Sequence, residues 1–169
     1  MLRELHKELG IPTNYGRSFG LPIFREAGEL VEVGPNLVGR MQRLTPDAAR
    51  QWHAMVEAAA HIGIQLLIVS GFRSVEYQAG LIRSKIAAGQ VIDDILKVNA
   101  APGYSEHHTG RAMDIATPGS RPLTEEFEST DAYNWLESRA VEFGFSMSFP
   151  RDNPCGIAYE PWHWSLEES

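Results

Sequence analysis

The segment SEHHTGRAMD, residues 105–114, constrains the fold of this chain most, because it places a carboxylate inside a predicted strand. In an extended stretch over residues 111–116, Met113 and Ile115 share one face, whereas Asp114 lies on the other face between alanines. An ionised carboxylate among small apolar residues costs free energy unless it is paired or bound to a cation. We therefore expect Asp114 to have a cationic partner.

A histidine stands near this aspartate in the sequence. His107 precedes Asp114 by seven positions, and Gly110 between them allows the chain to turn. A loop histidine and a strand aspartate can thus converge on one metal ion. By itself this spacing is a weak metal signal, because a polar turn that runs into a strand contains the same residue types.

A second polar group lies near the end of the chain, in YEPWHW, residues 159–164. On a strand, Trp162 and Trp164 point to one side and His163 points to the other. Pro161 cannot donate to a strand ladder, so the chain can turn there and bring Glu160 toward the same space as His163. An edge strand with an exposed histidine is the alternative.

Together the two segments supply two imidazoles, one ligand carboxylate and one free carboxylate. A catalytic zinc site needs these groups: three protein ligands, an open position for water and a carboxylate that takes the water's proton. The chain contains no His-Glu-x-x-His sequence, which excludes a zincin-type protease.

The rest of the chain predicts a mixed fold. Periodicity and capping residues predict helices within residues 44–63, 74–89, 91–99 and 131–145, and apolar or alternating runs predict strands within 64–72, 111–116, 145–149 and 162–166. These elements do not alternate as regular βαβ units, so we expect an α+β fold with a small, mostly antiparallel sheet flanked by helices. We expect one domain over residues 1–169. Its catalytic core would span residues 45–165, after an irregular N-terminal extension, residues 1–44, with a hairpin of LPIF and ELVEV.

Charge and apolar content exclude several classes of protein. The formal net charge of -7 argues against a nucleic-acid partner. The N-terminus has no apolar signal core and no run is long enough for a membrane span, so we expect a cytoplasmic or released protein, or one of the cell envelope if the chain is a trimmed form. We expect a monomer. Cys155 is the only cysteine and lies in a turn, so neither a disulfide nor a thiol nucleophile is expected.

These residues resemble a known family. Residues 105–114 match the Ser-x-His-x-x-Gly-x-Ala-x-Asp motif of the VanY-like D-alanyl-D-alanine carboxypeptidases, and residues 160–163 match their Glu-x-x-His motif. SGFRSVEYQ, residues 70–78, resembles their Ser-Gly-Tyr-Arg-Ser segment, with Phe72 in place of tyrosine. The family belongs to the lysostaphin, D-Ala-D-Ala peptidase and sonic hedgehog group of zinc peptidases. The resemblance runs from Leu44 to Ser165 and implies a hedgehog/D-Ala-D-Ala peptidase-like fold.

The resemblance implies a role for each matching residue. The implied zinc ligands are His107, Asp114 and His163, and the implied catalytic base is Glu160. Arg73 would polarise the substrate carbonyl or hold a carboxylate. Gln78 and Ser105 would line the substrate pocket. For His108, next to a ligand, we expect a supporting or surface role.

The implied activity is zinc-dependent removal of a terminal D-alanine from peptidoglycan stem peptides or muropeptides. An L-alanyl-D-glutamate endopeptidase and an L,D-carboxypeptidase are alternatives within the same group. A zinc-stabilised binding module, as in the hedgehog relatives, is a non-enzymatic alternative, which the presence of Glu160 disfavours. After EPWHW the family commonly has arginine and tyrosine, whereas this chain has Ser165 and Leu166. The resemblance therefore does not decide which peptide bond of the substrate is cut.

Overall fold

The computed structural model of the chain describes residues 1–167. Within this range the helices are α1 (Leu2–Glu8), α2 (Pro46–Ala60), α3 (Val75–Ala87), α4 (Ile92–Val98) and α5 (Asp131–Arg139). The strands are β1 (Val31–Pro35), β2 (Met41–Leu44), β3 (Leu67–Ser70), β4 (Ala112–Ala116), β5 (Phe145–Met147) and β6 (His163–Leu166). Short 3-10 helices span Glu106–Thr109, Glu125–Ser129 and Ala140–Phe143.

A four-stranded sheet with the order β3-β4-β6-β5 forms the centre of the fold, and all of its pairs are antiparallel. β1 and β2 form a separate antiparallel hairpin. The predicted α+β class with a small antiparallel sheet is therefore confirmed. None of the helices within residues 1–167 combines the length and apolar character that crossing a bilayer requires.

One face of the four-stranded sheet is covered by α2 and α5. Met113 and Ile115 of β4 and Trp164 of β6 enter this core and are at most 3% exposed. Each fully buried side chain of this size contributes roughly 1.5–3 kcal/mol to folding. Because side chains alternate along a strand, this burial turns Asp114 and His163 to the opposite face.

Local sequence signals explain where two of the helices begin. Ser74 caps α3, and its hydroxyl accepts a hydrogen bond from the Tyr77 amide at 3.0 Å. Thr45 precedes Pro46 at the start of α2, but the carboxylate of Asp47, not the Thr45 hydroxyl, accepts the Ala48 amide at 2.9 Å. The predicted fourth helix changes to 3-10 geometry at Ala140 and ends before Gly144.

The N-terminal region differs from the prediction in two respects. Residues 2–8 form α1, although no helix is predicted there. The hairpin pairs residues 31–35 with 41–44, so the predicted pairing of LPIF with ELVEV is wrong. LPIF is irregular because the backbone of this region bonds to the central loops instead: Phe24 donates to the Gly103 carbonyl at 2.8 Å, and Ala27 donates to the His108 carbonyl at 2.8 Å.

The start of the chain packs on the helices that flank the site. Leu9 and Ile11 form a second apolar cluster with residues of α3, α4 and the loop after α4, including Ala79, Ile82 and Ile95. The segment before residue 45 is thus part of the packed structure. The division into one domain with a 45–165 catalytic core stays a prediction.

Candidate metal centre and substrate cleft

The pairing of β4 with β6 places Asp114 directly opposite His163. The Nδ1 atom of His163 lies 3.1 Å from Oδ1 of Asp114, and both side chains are at least 95% buried. Two core-facing neighbours, Met113 and Trp164, hold this register. The two side chains therefore stand on rigid strands, on the face of the sheet away from the core.

His107 reaches the same point from the 3-10 helix Glu106–Thr109. Its Nδ1 lies 2.7 Å from the Gly71 carbonyl, which can only accept, so neutral His107 carries its proton on Nδ1. Its Nε2 faces Asp114 Oδ2 at 3.3 Å. Gly110 ends the 3-10 helix in the left-handed region at φ 65°, a conformation that favours glycine, and a Cβ there would lie 2.9 Å from Leu30 Cδ2.

The three side chains fit a zinc ion. The ligand atoms of His107, Asp114 and His163 all lie within 4.8 Å of one another. His107 Nε2 is buried and has no hydrogen-bond partner, although an unpaired buried nitrogen is unfavourable. Two imidazole nitrogens and one carboxylate are ligands that Zn²⁺ accepts, and three protein ligands leave one position open.

Two of these three groups are in the form that ligates a metal at neutral pH, and the third, His163, is protonated. Burial, with Arg73 nearby, lowers the pKa of His107 to about 4, so His107 is neutral and free to ligate. Burial alone would raise the pKa of Asp114, but His107, His163 and Arg73 hold it well below the usual value. Burial lowers the pKa of His163, but hydrogen bonds to Asp114 and Glu106 outweigh that effect and raise it to about 10, so His163 must release a proton before it can ligate a metal.

Arg73 is the cationic partner expected for Asp114. Its Nη2 donates to Asp114 Oδ2 at 2.9 Å, and its Nε and Nη1 donate to Ser70 and Gln78 at 3.0 and 3.1 Å. Its side chain is 15% exposed. Gln78 is itself buried and donates to the Ala100 carbonyl at 2.9 Å. The guanidinium is thus held in one orientation at the edge of the cleft.

Glu160 stands beside the three converging side chains without joining them. Its Oε2 lies 3.7 Å from His163 Nδ1, and its side chain is 12% exposed. A turn at Pro161 brings it there, since the His163 amide donates to the Glu160 carbonyl at 3.1 Å. Burial raises the pKa of Glu160 to about 7. A carboxyl with this pKa can both take up and release a proton at neutral pH.

Two cavities that share lining residues meet at this site. A small cavity of about 40 Å³ is lined by residues that include Gln78, Ser105, His107 and Glu160. An open groove of about 770 Å³ runs away from it and shares Arg73 and Glu160 with it. All seven residues that the motifs single out therefore lie within or next to one cleft; they are Arg73, Gln78, Ser105, His107, Asp114, Glu160 and His163.

The structure adds one carboxylate, Glu106, to the site and places His108 in the interior. Glu106 Oε2 lies 2.8 Å from His163 Nε2, and its place between Ser105 and His107 in the motif was the only available signal. His108 is fully buried, so its suggested surface role is wrong. Its Nδ1 lies 2.7 Å from the Arg73 carbonyl, and its Nε2 accepts the Gly103 amide at 3.0 Å.

The residues after His163 line a third cavity, which borders the small cavity beside His107. Ser165 and Leu166 pair with β5 and line a cavity of about 380 Å³ together with Leu21, Pro22 and Phe24, and Glu106 lines both this cavity and the small one. The serine and leucine that replace the family's arginine and tyrosine therefore lie in the cavity next to the small one.

Comparisons with known proteins agree with the motifs. The family model described as VanY, D-alanyl-D-alanine carboxypeptidase, matches residues 41–168. The chain is 30% identical over 171 residues to the putative carboxypeptidase YodJ of Bacillus subtilis (strain 168), covering 96% of this chain. The curated relatives are longer, since this chain spans 58% of YodJ and 36–65% of three others.

Two solved structures are similar over most of the chain. The LD-carboxypeptidase LdcB, solved in work on peptidoglycan recognition, superimposes with a TM-score of 0.74 at 30% identity, over 83% of this chain and 69% of LdcB. The second is a mutant of the vancomycin-resistance D,D-pentapeptidase VanY, solved in complex with Zn(II). It superimposes with a TM-score of 0.64 at 25% identity, over 88% of this chain and 87% of the VanY chain.

Proposed function

The chain belongs to the VanY family of D-alanyl-D-alanine carboxypeptidases, and from this we propose that it is a zinc peptidase that removes the terminal D-alanine of peptidoglycan stem peptides. The observation that carries the proposal is the convergence of His107, Asp114 and His163, with Glu160 beside them but outside the set. This arrangement separates metal ligation from proton transfer, as a hydrolytic centre requires.

We propose that His107 Nε2, the Asp114 carboxylate and His163 Nδ1 hold the zinc ion. When bound, zinc supplies Lewis acidity and makes water nucleophilic at neutral pH. The zinc complex of the similar VanY D,D-pentapeptidase supports this choice of metal. The hydrogen bond from His107 Nδ1 to Gly71 keeps the opposite nitrogen free for ligation.

Glu160 is the proposed proton carrier. It takes a proton from the attacking water and delivers it to the nitrogen of the departing D-alanine. Its burial supports this role, because the resulting pKa of about 7 allows both transfers at neutral pH. Its carboxylate already faces the space beside His163 Nδ1, at 3.7 Å.

The small cavity is the proposed site of the terminal residue. Gln78 and Ser105 line it, and its volume of about 40 Å³ suits a side chain as small as that of alanine. Arg73 stands where the small cavity meets the groove, so its guanidinium is placed to bind the substrate carbonyl or carboxylate. The rest of the stem peptide would lie in the open groove.

An L,D-carboxypeptidase is the second candidate. It would also remove a terminal D-alanine, but from a residue of L configuration. The specific observation in its favour is the similarity to the LD-carboxypeptidase LdcB, at 30% identity and a TM-score of 0.74.

Defined muropeptides test both candidates. Stem pentapeptides and tetrapeptides are incubated with the zinc-loaded protein, and the products are weighed by mass spectrometry, with Glu160→Gln as the inactive control. Loss of one alanine from the pentapeptide supports the D,D activity, and loss from the tetrapeptide alone supports the L,D activity. Cleavage inside the stem would replace both with the endopeptidase. A zinc-loaded protein that cleaves none of them would be a binding module.

A further inference from the structure

Glu106 is a partly buried carboxylate to which the proposed mechanism gives no role. Its Oε2 lies 2.8 Å from His163 Nε2, and the Ser148 hydroxyl donates to the same oxygen at 2.6 Å. Its side chain is 23% exposed. Glu106 is not one of the three converging ligand residues, and among the described residues its carboxylate hydrogen-bonds to His163 and Ser148.

The two nitrogens of His163 face different groups. Nδ1 lies 3.1 Å from Asp114, on the side of the proposed metal, and Nε2 faces Glu106. An imidazole that gives its Nδ1 lone pair to a metal must carry its proton on Nε2. His163 is 2% exposed, so water cannot readily accept that proton. Glu106 is the acceptor that the structure supplies.

The two ring nitrogens of His107 also face different groups, but the hydrogen-bond partner is not a carboxylate. Its Nδ1 donates to a backbone carbonyl, that of Gly71, and its Nε2 faces the centre. A carboxylate partner makes an imidazole more basic than a neutral carbonyl does, so the two histidines are unequal ligands. The 3-10 helix Glu106–Thr109 therefore supplies one ligand, His107, and the hydrogen-bond partner of the other, His163.

Neighbouring groups keep this contact in place. Ser148 follows β5 and fixes the oxygen of Glu106 that faces His163. The rings of Phe149 and His107 both lie with their centroids 4.9 Å from that of His163, so the imidazole cannot turn freely.

We propose that Glu106 is a positioning residue of the metal centre: it accepts the Nε2 proton of His163 and so fixes the tautomer that ligates through Nδ1, while Ser148 orients Glu106. This inference rests on the proposed zinc site. Partners of this kind around metal-bound histidines change metal affinity by about 10–100-fold when they are removed.

Zinc affinity is the decisive measurement. The dissociation constant of zinc is determined by competition with a chelator for the wild type, Glu106→Ala, Glu106→Gln and Ser148→Ala. We expect Glu106→Ala to bind zinc about 10–100-fold more weakly. Glu106→Gln should lose less, because its amide oxygen still accepts the proton, and Ser148→Ala should lose least. Glu57→Gln, which removes one negative charge from the exposed side of α2, is the matched control and should bind like the wild type.

A spectroscopic readout separates positioning from a general structural role. In the zinc-loaded wild type, ¹⁵N NMR of labelled histidine should show His163 protonated on Nε2, with a proton that exchanges slowly. In Glu106→Ala this proton should exchange faster. Thermal unfolding of the metal-free variants checks that they fold, and if Glu106→Ala does not, Glu106→Gln and Ser148→Ala carry the test.

Two results would overturn the proposal. The first is an unchanged zinc affinity in a folded Glu106→Ala protein; if hydrolysis also falls, Glu106 acts on substrate. The second is His163 protonated on Nδ1 in the zinc-loaded wild type. A wild type that binds no zinc is a different outcome, because it removes the proposed function itself. A protein that binds zinc but cleaves no stem peptide would leave the positioning role of Glu106 intact.

Discussion

Asp114 and His163 are direct partners on neighbouring antiparallel strands, and the Oδ1 and Nδ1 atoms of the two side chains lie 3.1 Å apart. Their chain neighbours Met113 and Trp164 are buried in the core on the other face of the sheet. The distance between two proposed metal ligands is thus set by the packing of the core and by the strand register. We expect a centre that is preorganised before the metal binds.

Zinc binding should depend on His163. The wild type should contain about one zinc per chain, and His163→Ala should lose most of it because one of three protein ligands is gone. Elemental analysis after dialysis measures the metal content. His53→Ala, an exposed histidine on α2, is the control and should keep its zinc. Full occupancy in His163→Ala would exclude this ligand set.

Glu160→Gln should abolish hydrolysis while zinc stays bound. The Glu160 carboxylate lies 3.7 Å from His163 Nδ1 and outside the ligand set, so the amide should disturb proton transfer more than ligation. General acid–base catalysis is worth about 10²–10⁴-fold, which is the expected fall in kcat. Steady-state kinetics and metal content are measured on the same sample. If activity stays within a few fold of the wild type, Glu160 is not the base.

Arg73 should be needed for both activity and stability. Its three hydrogen bonds, one of them to the buried carboxylate of Asp114, suggest that Arg73→Ala lowers the free energy of unfolding by about 1.5–3 kcal/mol. Urea denaturation of the metal-free protein measures this loss. Arg73→Lys should also lose activity, because an ammonium group cannot reproduce the planar fork that bonds Ser70, Gln78 and Asp114. A fully active Arg73→Lys enzyme would contradict this role.

The terminal carboxylate of the substrate should matter if the chain is a carboxypeptidase. A stem peptide with a free C-terminus should be cleaved faster than the same peptide as its amide, and the preference should shrink in Arg73→Ala if the guanidinium holds that carboxylate. Liquid chromatography of the products measures the cleavage rates of the two peptides by the wild type and by Arg73→Ala. Equal rates for both peptides in the wild type would favour the endopeptidase.

His108 should stabilise the fold without binding the metal. It is fully buried and joins the Arg73 carbonyl to the Gly103 amide, so His108→Ala leaves one buried and one partly buried backbone group without this partner. We expect a loss of about 1–3 kcal/mol in the free energy of unfolding. Chemical denaturation measures it against His53→Ala, a surface change that should stay within about 0.5 kcal/mol. A His108→Ala protein as stable as the wild type would show that these hydrogen bonds contribute nothing.

The sequence by itself determined the main helices and strands after residue 44 and the face of β4 on which Asp114 stands. Alternation over residues 111–116 predicted that Asp114 points away from Met113 and Ile115. The packing of Met113 and Ile115 in the hydrophobic core confirms this prediction. Ser74 before an apolar periodic stretch predicted the start of α3. These signals are local, since they depend on residues only a few positions apart. The motif predicted the members of the site, and their roles stay predictions.

Only the tertiary structure decided which segments meet. The register that joins β4 to β6 brings together residues 49 positions apart, and it arises from burial of the shared apolar face, which local patterns do not encode. For the same reason the predicted pairing of LPIF is wrong, because Phe24 of this segment donates to the Gly103 carbonyl instead of a strand partner. The sequence does not single out Glu106, because glutamates are common in polar turns. Its contact with His163 exists only after a 3-10 helix, the end of β5 and the start of β6 have packed together.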